Sequence, residues 1–229
     1  HVAILHEDDV WLPGHLAAVR GSLIANALPV LNISASRFID VEGRQLGTWS
    51  TPFAPGHYDG LSFGRALIVQ NFLAIPSPVI RRDAWLSAGG MDPHLWYTAD
   101  WDLYLKLASR GGVLVRPHAT TGFRIHGASL TMTGSPNSSA LLEQFEIVLN
   151  RHGHTYGLDT DSKLRARAWA SVAINCGLAR AAGGQSRSIW GVVGRLLGLG
   201  PGNALRYIHE SRILDRLLPR LRARRAGAL

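Results

Sequence analysis

The apolar run at residues 2–5 is followed at once by an acidic cluster, and this junction constrains the fold more than any other feature. Four consecutive apolar residues are typical of a strand that is buried on both faces, as in a parallel sheet covered by helices. The cluster consists of His6, Glu7, Asp8 and Asp9. In open α/β sheets, ligands bind beyond the carboxyl ends of the strands. The junction therefore predicts a ligand site at this cluster.

The acidic cluster has two interpretations from the residues alone. Carboxylates this close repel one another unless a cation or solvent relieves them. Oxygen-rich clusters suit Mg²⁺ or Mn²⁺, and these ions commonly hold substrate phosphates. The alternative is a solvated acidic loop that caps the following helix, and both interpretations stay open at this point.

The composition is that of an ordinary globular protein, with 46% hydrophobic and 17% charged residues. Cys176 is the single cysteine, which excludes an intrachain disulfide and fits a reducing compartment such as the cytoplasm. No apolar run approaches the length of a membrane span, roughly 18 residues, and we expect no signal peptide. Because the chain begins almost inside a strand, we expect a fragment whose earlier strands are missing.

The formal net charge of +8 is unevenly distributed. Residues 1–139 hold 10 basic and 10 acidic residues, whereas residues 140–229 hold 14 basic and 6 acidic residues. The basic excess therefore predicts contact with an anionic surface for the rear of the chain only.

Strand and helix patterns alternate as far as residue 135, and only helical patterns follow, which predicts an α/β fold with a helical C-terminal extension. We expect one domain at 1–135 and the helical, basic extension at 136–229. In the first domain, helices are predicted over 13–26, with Leu16, Val19, Leu23 and Ala27 on its buried face, over 59–69, and from Thr98. Extended segments are predicted over 29–39, 44–49, 71–82, 113–116 and 120–126. In the extension, helices are predicted near 139–152, 161–182, 187–198 and 203–218.

Two acids lie in the first turn of the helix that begins at Thr98, at Asp100 and Asp102. Acids at a helix start complement the helix dipole, and this structural role is the commoner one. A carboxylate held there beside aromatic rings would also be a well-placed general base.

Arg124 and His126 end a predicted strand two residues apart, and therefore on one face. His126 could ligate a metal through a neutral ring nitrogen. The alternative is a hydrogen-bonded histidine at a strand end.

Taken in order, these features resemble glycosyltransferase family 2. The resemblance rests on the acidic strand end, the segment 71–82, the turn Gly89-Gly90-Met91-Asp92, the motif Ala99-Asp100-Trp101-Asp102-Leu103 and the segment Arg124-Ile125-His126. It covers about residues 1–131. His6 stands where the family has the first aspartate of its D-x-D motif, and Ala99 stands where it has a glutamate. The resemblance implies the C-terminal part of a GT-A (Rossmann-like) mixed sheet that lacks the N-terminal nucleotide-binding strands.

The resemblance also implies an activity and its residues. The activity is a metal-dependent, inverting transfer of a sugar from a nucleotide-diphosphate sugar to an acceptor hydroxyl, with Asp100 as the catalytic base. The divalent metal, Mg²⁺ or Mn²⁺, would be held by Asp8, Asp9 and His126. The donor would contact His6, Glu7 and Arg124. A saccharide or lipid-linked acceptor would contact Trp96, Trp101, Asp102, Arg81 and Arg82, although core packing for the tryptophans and solvation for the arginines are alternatives. No nucleic-acid partner is expected.

Two other classes of function stay open. The first is a non-catalytic binding or scaffold domain that keeps the fold. The second is a metal-dependent hydrolase that would use His6, Asp8, Asp9, His57 and His126. The absence of a His-x-x-x-His pair near the acids counts against the hydrolase.

The last predicted helix is basic and amphipathic, which is typical of helices that lie on anionic membranes. One side carries Tyr207, Ser211, Leu214, Leu218 and Leu221. Around it lie Arg206, Arg212, Arg216 and Arg220, followed by Arg222, Arg224 and Arg225. We expect peripheral attachment at the cytoplasmic membrane face, or alternatively packing of the leucines on the catalytic domain.

Overall fold

The computed structural model describes residues 1–25, 29–126, 138–182, 184–185 and 187–225. This part of the chain is an α/β protein with two mixed sheets and a helical C-terminal part. The α/β class predicted from the sequence is confirmed.

The elements follow in chain order. The strands are β1 (Val2–Ala3), β2 (Val10–Trp11), β3 (Leu31–Ile33), β4 (Ser36–Ile39), β5 (Gln45–Trp49), β6 (Gly56–Tyr58), β7 (Val79–Ile80), β8 (Val113–Val115) and β9 (Thr121–Arg124). The helices are α1 (His15–Ala25), α2 (Gly60–Leu67), α3 (Arg82–Ser87), α4 (Ala99–Ala108), α5 (Ser138–Tyr156), α6 (Ser162–Ala182), α7 (Ser188–Gly198), α8 (Pro201–Ser211) and α9 (Ile213–Arg225).

The first sheet has five strands in the order β1-β7-β3-β8-β6. Strands β3 and β8 are parallel, with Leu31 opposite Val113, and the other pairs are antiparallel. All three residues of both β3 and β8 are buried, so the centre of the core lies at this parallel pair.

The N-terminal strand is not the fully buried parallel strand that the apolar run predicted. Among the described strands, β1 pairs only with β7, and the pair is antiparallel. Its residues are half-buried, and Leu5 is 44% exposed. Strand β2 belongs to the other sheet, so the acidic residues between the two strands connect the two sheets.

The second sheet has four strands in the order β2-β9-β4-β5, with β4 and β9 parallel. The predicted extended segment over 29–39 therefore divides between the two sheets, as β3 and β4. At the crossing, the backbone N–H of Ser34 donates to Ser77 Oγ at 2.8 Å. This bond holds the crossing segment against the one that leads into β7.

Helix α1 occurs where it was predicted, but its buried face differs. Val19 is buried, whereas Leu16 is 67% exposed. The buried residue at the start of the helix is His15, whose Nδ1 lies 2.9 Å from Thr120 Oγ1. Ala27, predicted on the same face, lies outside the described residues.

Helix α2 begins at Asp59, as predicted, because the Asp59 side chain accepts from the backbone N–H of Ser62 at 2.9 Å. Gly64 allows α5 to pack closely, since a Cβ there would lie 2.0 Å from the Tyr156 ring. The hydroxyl of Tyr156 donates to the Leu105 carbonyl. These contacts link α2 and α4 to the first helix of the C-terminal part.

The helices of the C-terminal part agree with the sequence except for the last. The segment predicted as one helix over 203–218 forms two, α8 and α9, because Arg212 between them adopts the left-handed region at φ 48°. Helix α9 then turns back to pack against β5. The domain boundary expected near residue 135 lies outside the described residues. Within the described residues, no helix has the length and apolarity needed to cross a bilayer.

Candidate active site

A cavity of about 750 Å³ lies where the acidic loop, the start of α4 and the C-terminal helices meet. The acidic loop contributes His6, Glu7 and Asp8, and α4 contributes Asp100. The wall also includes residues of α5, α6 and α9. The cavity thus gathers most of the residues that the sequence singled out.

Asp8 and His126 form a hydrogen-bonded pair at this cavity. His126 Nε2 lies 2.8 Å from Asp8 Oδ2, and both side chains are partly exposed. Burial raises the pKa of Asp8, but the hydrogen bond to His126, a backbone hydrogen bond and the nearby His126 and His6 together outweigh it and leave the pKa below its usual value. Asp8 is therefore ionised at neutral pH.

Asp9 lies behind Asp8 and is buried. Its Oδ1 accepts from the backbone N–H of Arg124 at 3.0 Å, whereas its Oδ2 is buried without a hydrogen-bond partner among the described residues. Burial raises the pKa of Asp9 to about 6, and the nearby Asp8 charge adds to the effect. Proton uptake or a cation would relieve this carboxylate.

His6 joins the two aspartates in a group that could hold a metal. One ligand atom from each of His6, Asp8 and Asp9 lies within 4.8 Å of the others. The sequence placed His126 in the metal site and His6 with the donor. In the structure, His6 belongs to the group of possible ligands, and His126 hydrogen-bonds to Asp8. The oxygen-rich donors and the orphaned Oδ2 of Asp9 fit a divalent cation such as Mg²⁺ or Mn²⁺.

The side chain of Arg124, predicted to contact the donor, is used to hold the loops together. Its Nε donates to the Asp8 carbonyl at 2.7 Å, and its Nη1 donates to the carbonyls of Asp40 and Val41. Arg124 thus fixes the backbone that carries Asp8, while its role toward a donor remains a prediction.

Asp100 faces the cavity from the first turn of α4. Its Oδ1 accepts from the backbone N–H of Trp101 at 2.7 Å, and its Oδ2 accepts from the Asn71 amide at 2.9 Å. Burial raises its pKa to about 6, against these hydrogen bonds and the nearby His6, which lower it. A carboxyl with a pKa near the operating pH suits proton transfer.

Asp102, predicted to contact the acceptor, is fully buried instead. Its Oδ1 lies 2.8 Å from Arg151 Nη1 and 2.8 Å from His152 Nε2, and its Oδ2 lies 2.7 Å from Lys106 Nζ. Burial raises the pKa of Asp102, but these three partners hold it well below its usual value. The structure therefore places Asp102 in a buried network that joins α4 to α5, away from the cavity.

The two tryptophans predicted to stack on sugars differ in exposure. Trp101 is 3% exposed, and its Nε1 donates to the Leu67 carbonyl at 2.7 Å, so core packing accounts for it. Trp96 also lines the cavity and is 44% exposed. Only Trp96 of the two offers a ring face to a ligand.

The remaining predicted residues are not part of the cavity wall. Arg81 pairs with Asp83 at 2.6 Å, and Arg82 is exposed at the start of α3. His57 lies on β6, at the opposite edge of the first sheet from β1. The hydrolase constellation is therefore not assembled around His57.

Sequence reasoning missed several residues of the cavity wall, among them Trp49, Asn71, Arg216 and Arg220. The two arginines were assigned to a membrane-facing helix, because the side on which α9 packs depends on contacts distant in sequence. The i, i+4 spacing of Arg216 and Arg220 was a signal that they share one face. Asn71 lay in a segment already singled out, but nothing local indicated its bond to Asp100.

The sequence matches no protein-family model and no curated protein.

Proposed function

We propose that the cavity transfers a sugar from a nucleotide-diphosphate sugar to an acceptor hydroxyl, as a family 2-like glycosyltransferase. One observation carries the proposal: the same cavity combines Asp100, a partly buried carboxyl with a pKa of about 6, with the possible metal ligands His6 and Asp8. A base and a site for a departing diphosphate are the two groups that this reaction needs.

In the proposed reaction, Asp100 accepts the proton of the acceptor hydroxyl. The acceptor oxygen forms a bond to the anomeric carbon as the bond from that carbon to the diphosphate oxygen breaks. Asn71 donates to Asp100 Oδ2 and thereby orients the carboxylate. A divalent cation held by His6, Asp8 and Asp9 would neutralise the leaving diphosphate. Trp96 offers a face on which a sugar ring can stack.

We assign the reaction to the cytoplasmic face of an anionic membrane, with a saccharide or lipid-linked acceptor. Large apolar side chains are exposed along α7, α8 and α9, which supports this placement. They are Ile189, Trp190, Val193, Leu197, Leu205, Leu214, Leu218 and Leu221. The basic excess behind residue 139 complements anionic lipid.

The test is an assay of nucleoside diphosphate release with a panel of nucleotide sugars, acceptors and Mn²⁺, using the complete gene product. Transfer that needs both acceptor and metal, and that Asp8→Asn reduces while the exposed control Asp159→Asn does not, supports the proposal. Release of free sugar without acceptor favours the hydrolase. Binding of sugar nucleotide without any turnover favours the scaffold.

A further inference from the structure

Two arginines of α9 enter the cavity without a carboxylate to pair with them. Arg216 and Arg220 lie one turn apart and both line the wall. Neither forms an ion pair with a carboxylate of the described residues, whereas Arg212 on the same helix pairs with Asp215 at 2.7 Å. An arginine that leaves water usually gains an anionic partner.

The hydrogen bonds of these arginines are also incomplete. Arg216 Nε is buried with no hydrogen-bond partner among the described residues. Arg220 Nη1 donates to the Arg216 carbonyl at 2.7 Å, and its guanidinium lies 5.6 Å from the centre of the Phe38 ring. Trp49 Nε1 is a further buried donor that has no hydrogen-bond partner among the described residues. Trp49 also lines the cavity. This wall therefore offers donors and positive charge with few acceptors.

The two arginines also act on each other. Burial lowers the pKa of Arg216, and burial together with the charge of Arg216 lowers that of Arg220 to about 10. A guanidinium stays protonated at neutral pH, so two like charges face one cavity. Tyr97, which also lines the cavity, lies within electrostatic reach of both arginines and of Asp100.

We infer that Arg216 and Arg220 bind a phosphate or diphosphate group of the cavity's ligand, at a subsite separate from the acidic group around Asp8. Guanidinium groups recognise phosphate by parallel, charge-assisted hydrogen bonds. The anion can be the diphosphate of a sugar donor or a phosphate on the acceptor. Its part in a transfer reaction rests on the proposed function, whereas anion binding itself does not.

The test is titration of the chain with inorganic pyrophosphate in EDTA, followed by isothermal calorimetry. We expect Arg216→Gln and Arg220→Gln each to weaken binding about tenfold or more. The exposed controls Asp159→Asn and Arg195→Gln should bind as the unchanged chain does. Arg216→Lys keeps the charge but not the planar fork, so its affinity should fall between those of the chain and Arg216→Gln.

Thermal unfolding of each variant shows whether a loss of binding reflects loss of fold. Removing a partly buried cation that has no carboxylate partner among the described residues should leave the unfolding temperature unchanged or raise it. The inference would be overturned if both glutamine variants bound pyrophosphate as tightly as the unchanged chain. It would also be overturned if the unchanged chain did not bind at millimolar pyrophosphate.

The source of the anion is read from steady-state kinetics of the complete gene product. A higher KM for the donor in Arg216→Gln assigns the subsite to the donor diphosphate, and a higher KM for the acceptor assigns it to an acceptor phosphate. If pyrophosphate binding depends on the arginines but no sugar is transferred, the anion subsite is supported and the proposed function is contradicted. If sugar is transferred but neither KM changes in Arg216→Gln, the anion subsite is contradicted and the proposed function is supported.

Discussion

Asp100 and Asp102 lie two residues apart in the first turn of α4, yet Asp100 faces the cavity and Asp102 is fully buried against Arg151, His152 and Lys106. Burial raises the pKa of Asp100 to about 6, whereas the basic partners hold that of Asp102 well below its usual value. Ionisation of Asp100 therefore destabilises the fold, whereas ionisation of Asp102 stabilises it.

This difference predicts that Asp100→Asn and Asp102→Asn will fail in different ways. Asp100→Asn should lower sugar transfer by about 10²–10⁴-fold and leave the free energy of unfolding unchanged or higher. Asp102→Asn removes the shared anion of three basic groups and should cost about 3 kcal/mol of unfolding free energy. Denaturant unfolding and transfer assays on both variants check this, and a stable, inactive Asp102→Asn would reverse the assignment.

The bond between Asn71 and Asp100 predicts a shift in the pH profile. Asp100 must be ionised to act as a base, so activity should rise with pH through about 6. Asn71 donates to the ionised form, so Asn71→Ala should raise the pKa of Asp100 and move the acid limb upward by about half a unit to one unit. The measurement is kcat/KM from pH 5 to 8, and an unmoved acid limb in Asn71→Ala would exclude Asp100 as the titrating base.

Burial of Asp9 predicts that Asp9→Asn stabilises the metal-free protein. Below pH 3.8, the carboxyl is protonated in both folded and unfolded states and contributes no difference. Between pH 3.8 and about 6, the unfolded chain has released this proton while the folded protein keeps it, so stability falls as pH rises. Asp9→Asn should therefore raise the free energy of unfolding by about 1–3 kcal/mol at pH 7.

The control for Asp9→Asn is the same measurement of unfolding free energy at a series of pH values. In EDTA, the gain should disappear below about pH 4, and a gain that is independent of pH would point to a cause other than the buried charge. Mn²⁺ should stabilise the unchanged chain more than Asp9→Asn, because the substitution removes a carboxylate from the group with His6 and Asp8.

The sequence predicted helices and strands well where neighbouring residues determine them. The Asp59 cap, the helix at Thr98 and the strand that returns as β5 follow from neighbouring residues, and each occurs. The apolar run at residues 2–5 did not reveal that β1 lies at an edge, because pairing depends on partners about 75 residues away, at Val79 and Ile80.

The candidate site was predictable only in part, for the same reason. The acidic loop and Asp100 were found from their positions after a strand and at a helix start. Arg216 and Arg220 were not, since Arg212 carries no Gly or Pro signal for the break that redirects α9. With that break, Tyr207 and Ser211 are buried while Leu214 and Leu218 are exposed, so the single amphipathic face predicted over 207–221 does not exist.

The redirected α9 changes how membrane attachment must be tested. Truncation after Gly202 would remove Arg216 and Arg220 from the cavity as well as the exposed leucines. Leu214→Ser with Leu218→Ser removes only side chains that are 54% and 49% exposed. We expect this double variant to co-sediment less with anionic vesicles at low salt, because two of the exposed apolar side chains that would enter the acyl boundary are removed.

The matched control is Leu16→Ser, since Leu16 is 67% exposed but lies on α1. It should sediment as the unchanged chain does. Binding should also weaken as salt rises, because salt screens the attraction of the basic residues to lipid. Equal binding to neutral vesicles, or equal loss in Leu16→Ser and the double variant, would contradict attachment through α9 and leave its leucines without a membrane role.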